Sequence, residues 1–264
     1  METTTRSKFL DDYRTIRHAE GRGSEDPAYY LALPYQDLNG NNASQWKIRG
    51  KSYCYFERKI LPAIEKRLKR PLDILDLGAG NCWMSYRLSL RDHKPVALDI
   101  FSDARDGLLA SRHYPRPFPV IEAQFDLLPF PKRTFDLAIF NASFHYSSDY
   151  QVTLREVRRC LRPRGRVVIM DSPVYARPEH GELMREERRR HFLKRYGFPS
   201  DALASREYLD EPMLKDLARD LNIDWQTHRV WYGWNWFLRP WKARLRHSRP
   251  PSRFLILTGA FRGR

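Results

Sequence analysis

Residues 72–81 read Leu-Asp-Ile-Leu-Asp-Leu-Gly-Ala-Gly-Asn, an apolar run that ends in a glycine turn. Pro71 stands before it, and Cys82–Leu90 (CWMSYRLSL) follows, with Met84 and Leu88 on one helical face. This is the pattern of a buried strand, a tight loop and a helix. Outward from it, KPVALDI (94–100), PVIEAQF (119–125), TFDLAIFN (134–141) and RVVIMD (166–171) read as four further short buried strands. Between the last two, a helix is predicted across 150–162, with Leu154, Val157 and Leu161 at i, i+3, i+7 and Pro163–Gly165 ending it. Strands alternating with helices at this spacing predict βαβ units and a parallel sheet. IDWQTHRVWYGW (223–234) and RFLILTGAF (253–261) add two more strand-like runs.

The glycines let the chain turn sharply and lie against a ligand. Asp99 closes the second strand, 21 residues after Gly78. That spacing suits a carboxylate accepting hydrogen bonds from both hydroxyls of a ribose. A dinucleotide would also need its pyrophosphate at the helix N-terminus, with a third glycine for close packing. Trp83 occupies that third position, which counts against a nicotinamide oxidoreductase. S-adenosylmethionine carries an adenosine and no phosphate, so it does not require that approach.

On these residues the chain resembles the class I S-adenosylmethionine-dependent methyltransferases, on the branch of the ubiquinone and menaquinone methyltransferases (type 11 domain). The resemblance covers about residues 72–172. LDILDLGAGN is similar to the family's first motif and VALDI to its second, with Asp99 on the ribose. AQFDLLPFPKRTFDLAIFNASFHY is similar to the third and fourth, and LREVRRCLRPRGRVVIMDSP to the helix, turn and strand after them. It implies a Rossmann-like α/β fold: a doubly wound, seven-stranded, mostly parallel sheet whose last strand, 253–261, is antiparallel. It also implies S-adenosyl-L-methionine as cofactor, held by Asp76, Gly78, Ala79, Gly80, Asp99, Ile100 and Asn141. The chain departs from the family before Leu128. Gln124 stands where an acid often contacts the adenine amino group, and Asp126 lies two residues further on. Either can accept that hydrogen bond, with the Phe125 N–H reaching the ring; either can instead solvate a loop.

Methyl transfer is a displacement that needs an aligned acceptor in a dry pocket, and a base only where the attacking atom carries a proton. His145, after the fourth strand, and Asp171, ending the fifth, are the candidate catalytic residues. The alternatives are a histidine that shapes the cofactor pocket or caps a helix, and an aspartate that caps a helix or loop. The acceptor site is expected from additions to the sheet. One is an N-terminal lead and helical lid (1–70): a loose lead over 1–30, then helix over 44–69, with Ser44 as N-cap and Pro62 dividing it. The other is a helical insert at 172–222 within a methyltransferase domain of 71–264. Trp46, Arg49 and Tyr53 share one helical face. Trp46 and Arg49 are placed over the cofactor, with Arg49 on its carboxylate, and Tyr53 beside the acceptor. Tyr175, His180, Met184 and Glu187 are the other candidate substrate contacts; packing or a solvated helix are the alternatives.

The chain has 264 residues, a net charge of +15 and 42% hydrophobic residues, enough to build a core. No apolar run reaches the roughly 18 residues of a membrane span. The opening METTTRSKFLDD lacks a signal-peptide core, and Cys54, Cys82 and Cys160 are scattered, which points to the cytoplasm. Histidine and cysteine spacing predicts no metal site. The charge is open to three readings: plain solubility, an anionic membrane surface, or nucleic acid. Residues 231–246 place four tryptophans and a phenylalanine among Arg and Lys. Such a mixture suits a bilayer interface, stacks on bases, or packs on a sheet between strands. Together these features predict methyl transfer to a small-molecule or lipid-like acceptor, with peripheral contact to anionic membrane allowed and the oligomeric state undetermined. The rivals are a nucleic-acid (RNA) methyltransferase and a non-catalytic cofactor-binding module. The Asn/Asp-Pro-Pro-Tyr/Phe tetrapeptide of many base-amino methylases is absent; Asn-Ala-Ser-Phe stands at 141–144.

Overall fold

A computed structural model describes residues 2–199 and 204–263, with the side chains of 2–6 outside that description. The apolar runs become β1 (Asp73–Leu77), β2 (Lys94–Asp99), β3 (Val120–Glu122), β4 (Phe135–Asn141) and β5 (Leu161–Met170). They lie parallel in the order β3-β2-β1-β4-β5, in register at Leu75↔Val96, Leu75↔Ala138 and Ala138↔Val167. Helices cover both faces, so β4 is buried along nearly its whole length, which explains its unbroken apolar run. The glycine loop leads into α5 (Trp83–Ser89), and α6 (Tyr150–Cys160) begins where Asp149 accepts from the Gln151 and Val152 N–H groups. β9 (Arg253–Phe261) lies antiparallel between β5 and β8 (Ile223–Arg229), giving the expected seven strands. Two short strands, β6 (Pro173–Tyr175) and β7 (Leu209–Asp210), extend the sheet along β9, so the count among the described residues is nine.

Two apolar layers flank the sheet. On one side α6 and α8 (Glu211–Leu221) bring Leu154, Val157, Leu217 and Leu221 onto Leu75, Ala138 and Ile169. On the other, α2 (Pro27–Ala32), α3 (Ala43–Tyr55) and α4 (Leu61–Leu68) place Tyr30, Leu33, Tyr53, Phe56 and Leu61 against Ile74 and Leu137.

The structure corrects several expectations. Residues 1–30 are not a loose lead, since α1 spans Glu2–Ala19 and α2 follows. Phe9, Tyr13, Ile16 and Arg17 recur at helical spacing, and the buried Phe9 and Ile16 anchor α1. The helix from 43 is preceded by Asn42 rather than capped by Ser44. Pro62 does not divide it; a wide turn at Phe56–Ile60, with Leu61 N–H bonded to the Phe56 carbonyl, carries it into α4, and Pro62 sits in the first turn of α4. The 172–222 stretch is not wholly helical: besides α7 (Pro178–Tyr196) and α8 it supplies β6 and β7. The strand from 223 stops at Arg229. After it come two short helices, α9 (Trp234–Phe237) and α10 (Arg239–Leu245).

Candidate active site

β1 and β4 are neighbours whose connections leave in opposite directions, and open sheets form a crevice at such a point, beyond the strands' carboxyl ends. Here a cavity of about 350 Å³ opens there. The glycine loop forms its floor. Gly78 has φ +74°, and a Cβ on it would lie 2.3 Å from the Ser143 Cβ, so this turn admits no side chain. Ser143 Oγ in turn donates to the Leu77 carbonyl at 2.5 Å. Three non-glycine residues lining or flanking the crevice, Cys82, Ala142 and Asp171, also take left-handed φ values of 64°, 56° and 55°. Such conformations concentrate where a site dictates the backbone.

Asp99 ends β2 with its carboxylate held by the Gly80 N–H at 2.8 Å and the Phe101 N–H at 3.0 Å. Burial raises its pKa against those bonds. Ile100, Gln124, Phe125 and Asp126 line the same end of the cavity. At the β1 end, Asp76 is buried, accepts from Ser85 Oγ at 2.7 Å, and leaves Oδ1 without a partner. Burial pushes its pKa up to about 7. Asn141, the last residue of β4, also leaves a buried Oδ1 unpaired.

Asp171 follows β5. Its Oδ1 accepts from Ser52 Oγ, which is 2.8 Å from the Tyr232 hydroxyl, while Oδ2 is buried without a partner. Burial raises it to about 6, opposed by Ser52 and the nearby charge of Arg49. His145 lies in a short turn, Phe144–Tyr146, with Nδ1 3.2 Å from Ser172 Oγ. Burial, with Arg188 and Arg49 nearby, lowers its pKa to about 3, so the ring is neutral at pH 7.

Arg49 reaches the cavity from α3 with its guanidinium 4.9 Å from the centre of the Trp46 ring. Among the described residues it has neither an ion pair nor a hydrogen bond. Burial, with Arg22 and Arg17 nearby, lowers it to about 10. The other two arginines are already engaged: Arg17 pairs with Asp106, and Arg22 with Glu20 and Gln45.

The remaining expected site residues lie elsewhere. Trp46 and Tyr53 are buried, edge-on to Trp83 at 6.0 and 5.4 Å, and wall the cavity only through that ring. Trp83 therefore uses its bulk to join α3 to the glycine loop. Tyr175 packs on Tyr208 and accepts from Arg249 at 3.1 Å, and Glu187 pairs with Arg249 at 2.7 Å. His180 and Met184 are half-buried on α7 and do not line the cavity. The reason is that α7 rests on β6 and β7, where Gly181 leaves room for the Tyr208 ring. The charge of its Arg188, which pairs with Glu207, acts on His145.

Sequence reading missed the roof. α1 supplies Phe9, Tyr13 and Arg17 to the cavity, and Tyr13 meets Phe101 edge-on at 5.1 Å. Pro173 and Phe254 close the side beyond Asp171. The helical spacing of the α1 residues was the available signal; nothing local marks Phe254, which lies on β9.

The family description "Methyltransferase domain" matches residues 75–169. A demethylmenaquinone methyltransferase of Corynebacterium efficiens is 27% identical over 169 residues, covering 62% of this chain and 71% of that protein. A malonyl-[acyl-carrier protein] O-methyltransferase of Erwinia pyrifoliae is 31% identical over 101 residues, 37% of this chain and 36% of that one. The chain thus spans only about a third of the latter's length. Among solved structures, a putative sarcosine dimethylglycine methyltransferase from Galdieria sulphuraria shares the fold, with TM-score 0.56, 15% identity, and 94% and 97% of the two chains covered. Residues 75–169 are therefore a methyltransferase domain of the class I S-adenosylmethionine-dependent kind, and S-adenosylmethionine is its cofactor.

Proposed function

We propose that this enzyme methylates a small or lipid-like molecule held between His145, Asp171, Pro173 and Phe254. The observation that carries the reading is a set of unpaired polar groups facing one cavity. Among the described residues Asp76 Oδ1, Asn141 Oδ1 and Asp171 Oδ2 find no donor, and Arg49 finds no anion. Buried polar atoms in folded proteins are nearly always paired, so three unpaired oxygens and an unpaired guanidinium converging on one cavity mark a ligand site. It fits the amino-acid end of the cofactor. Asp76 and Asn141 would take its ammonium group, which would also favour the ionised form of Asp76, and Arg49 would take its carboxylate. Asp99 would hold the ribose, and Gln124, Phe125 and Asp126 the adenine. When bound, the cofactor supplies an electrophilic methyl group on a sulfonium.

The chain's own work is positioning, drying and moving one proton. Tyr13 and Phe9 on α1 cover the cavity and exclude water. Asp171 Oδ2 accepts the proton of an attacking hydroxyl or similar group. Its raised pKa lies nearer neutrality than that of His145, which is too weak a base for the role. His145, fixed by Ser172, is then a wall of the acceptor pocket. The names of the relatives, demethylmenaquinone and malonyl-[acyl-carrier protein], support a non-nucleic-acid acceptor.

Labelled cofactor, incubated with the enzyme and extracts of its own cells, tests the reading. Label is expected in an organic-soluble or small aqueous product. Label in RNA, DNA or the polypeptide chain of a protein, as opposed to an acyl group carried on one, overturns the acceptor class, and cofactor binding without any labelled product makes the fold a binding module.

Arg49→Met keeps much of the apolar stem and removes the charge. It is expected to weaken S-adenosylmethionine about 10–100-fold, the worth of a charge-assisted bond. Adenosine, which has no carboxylate, should bind as before. Equal losses for both in titration calorimetry would place Arg49 outside carboxylate recognition.

A further inference from the structure

The stretch after β8 is not absorbed by the sheet or by the site. In α9, α10 and the turn before them, Trp231, Trp234, Phe237, Leu238, Trp241 and Leu245 are all exposed, Trp234 by 70% and Trp241 by 67%. Single exposed apolar residues are ordinary, but a contiguous group of this size marks an interaction surface. Trp231 and Trp234 pack edge-on at 5.2 Å, and Phe237 lies within 6.0 Å of both, so the rings form one wedge.

The charge around the wedge has one sign. From residue 225 to 264 there are nine Arg or Lys and no Asp or Glu; Arg249, Arg253 and Arg262 pair with Glu187, Glu211 and Asp224, whereas Arg239, Lys242, Arg244 and Arg246 form no ion pair among the described residues. Lys47, Lys51, Arg58 and Lys59 line the adjoining groove with Trp231. Arg239 stacks 3.8 Å over Trp236, with Nη1 buried and unpaired among the described residues.

We propose that α9 and α10 dock the enzyme on an anionic lipid bilayer. Short amphipathic helices with Trp and Leu on one side and cations around them seat in the headgroup region, and neither helix is long enough to do more than lie there. Nucleic acid fits less well. Base stacking needs separate open ring faces, whereas these rings pack against one another beside exposed Leu238 and Leu245.

The wedge is tied to the acceptor end of the cavity. Trp236 lies 5.2 Å from Phe254, which lines the cavity. Lys51 Nζ donates to the Tyr232 carbonyl at 2.7 Å, and the Tyr232 hydroxyl meets Ser52, the partner of Asp171. Docking therefore brings the acceptor end of the cavity close to lipid. The docking inference stands on this surface alone, whatever the acceptor proves to be.

Co-sedimentation with vesicles of phosphatidylcholine alone, or mixed with phosphatidylglycerol, tests it. The native protein is expected to pellet with the mixed vesicles and much less with the neutral ones, and added salt should release it. Each cation near such a surface is worth about five-fold in partition. Arg244→Glu with Arg246→Glu should therefore weaken binding about 25-fold or more. Trp234→Ser with Trp241→Ser should weaken it independently of salt. Both variants should bind S-adenosylmethionine as the native protein does, which shows that they fold. Three results overturn the proposal: native protein that ignores both vesicles, variants that bind vesicles as native protein does, or a native dimer that the Trp variants dissociate. The last would make the wedge a self-association surface.

Discussion

Asp171→Asn is expected to slow methyl transfer by about 10²–10⁴-fold, the usual worth of a positioned base. Cofactor affinity should change little. Asn keeps an oxygen for the Ser52 hydroxyl, so the local hydrogen bond survives. The pH profile separates chemistry from structure. The carboxyl ordinarily titrates near 3.8, and burial raises it to about 6. A base must be ionised, so kcat/KM of the native enzyme should rise with pH through about 6 and then level, and the variant should lack that rise. The sign for stability is opposite. A carboxyl with a raised folded pKa favours the native state while protonated, and that advantage is lost as pH rises from about 4 to 6. The variant should therefore melt no lower than the native protein at pH 7. A rate that stays within a few-fold of native, with an unchanged pH profile, removes Asp171 as the base.

Asp99→Ala is expected to weaken S-adenosylmethionine and its demethylated product by about 10²–10³-fold, since two hydrogen bonds to a charged acceptor disappear together. Asp99 also accepts from the Gly80 and Phe101 N–H groups, so the alanine variant loosens the glycine loop as well. Asp99→Asn serves as the second variant. It retains an acceptor oxygen and should lose less affinity. Calorimetry with both ligands, beside circular dichroism for the fold, decides it. Affinity equal to native in a folded variant removes Asp99 from the ribose site. NADH should show no specific binding to the native protein.

Both predictions concern residues at strand ends, which is why sequence could point to them. A parallel strand buried on both faces must be a short apolar run, and the residue that ends it must sit at the sheet's carboxyl edge. Asp99 and Asn141 end such a run, Asp171 follows one and Asp76 is the last but one of its run, so their shared edge was legible before any coordinates. The glycine turn was legible for the same local reason, because Gly78 takes a backbone angle and a closeness to Ser143 that a side chain forbids.

The residues that sequence misplaced depend on the packing of distant segments. Tyr53 and Arg49 lie on one helix, four residues apart, yet Trp83 takes Tyr53 into the core and leaves Arg49 in the cavity. His180, Met184 and Glu187 sit on a charged helix with no clear apolar stripe, so its orientation was set by Tyr208 against Gly181. The balance between His145 and Asp171 was also invisible, because a pKa depends on burial and neighbours from β5, α3 and α7.

The sequence by itself thus determined the strand order's raw material, the glycine loop and the carboxylates at the strand ends, since these follow from local periodicity and backbone sterics. Only the tertiary structure decided what roofs the cavity, that burial moves the His145 pKa down and the Asp171 pKa up, and that the tryptophans of 231–241 largely face outward. Those are matters of which surfaces are left over once the core is packed, and burial is a property of the assembled chain rather than of any segment within it.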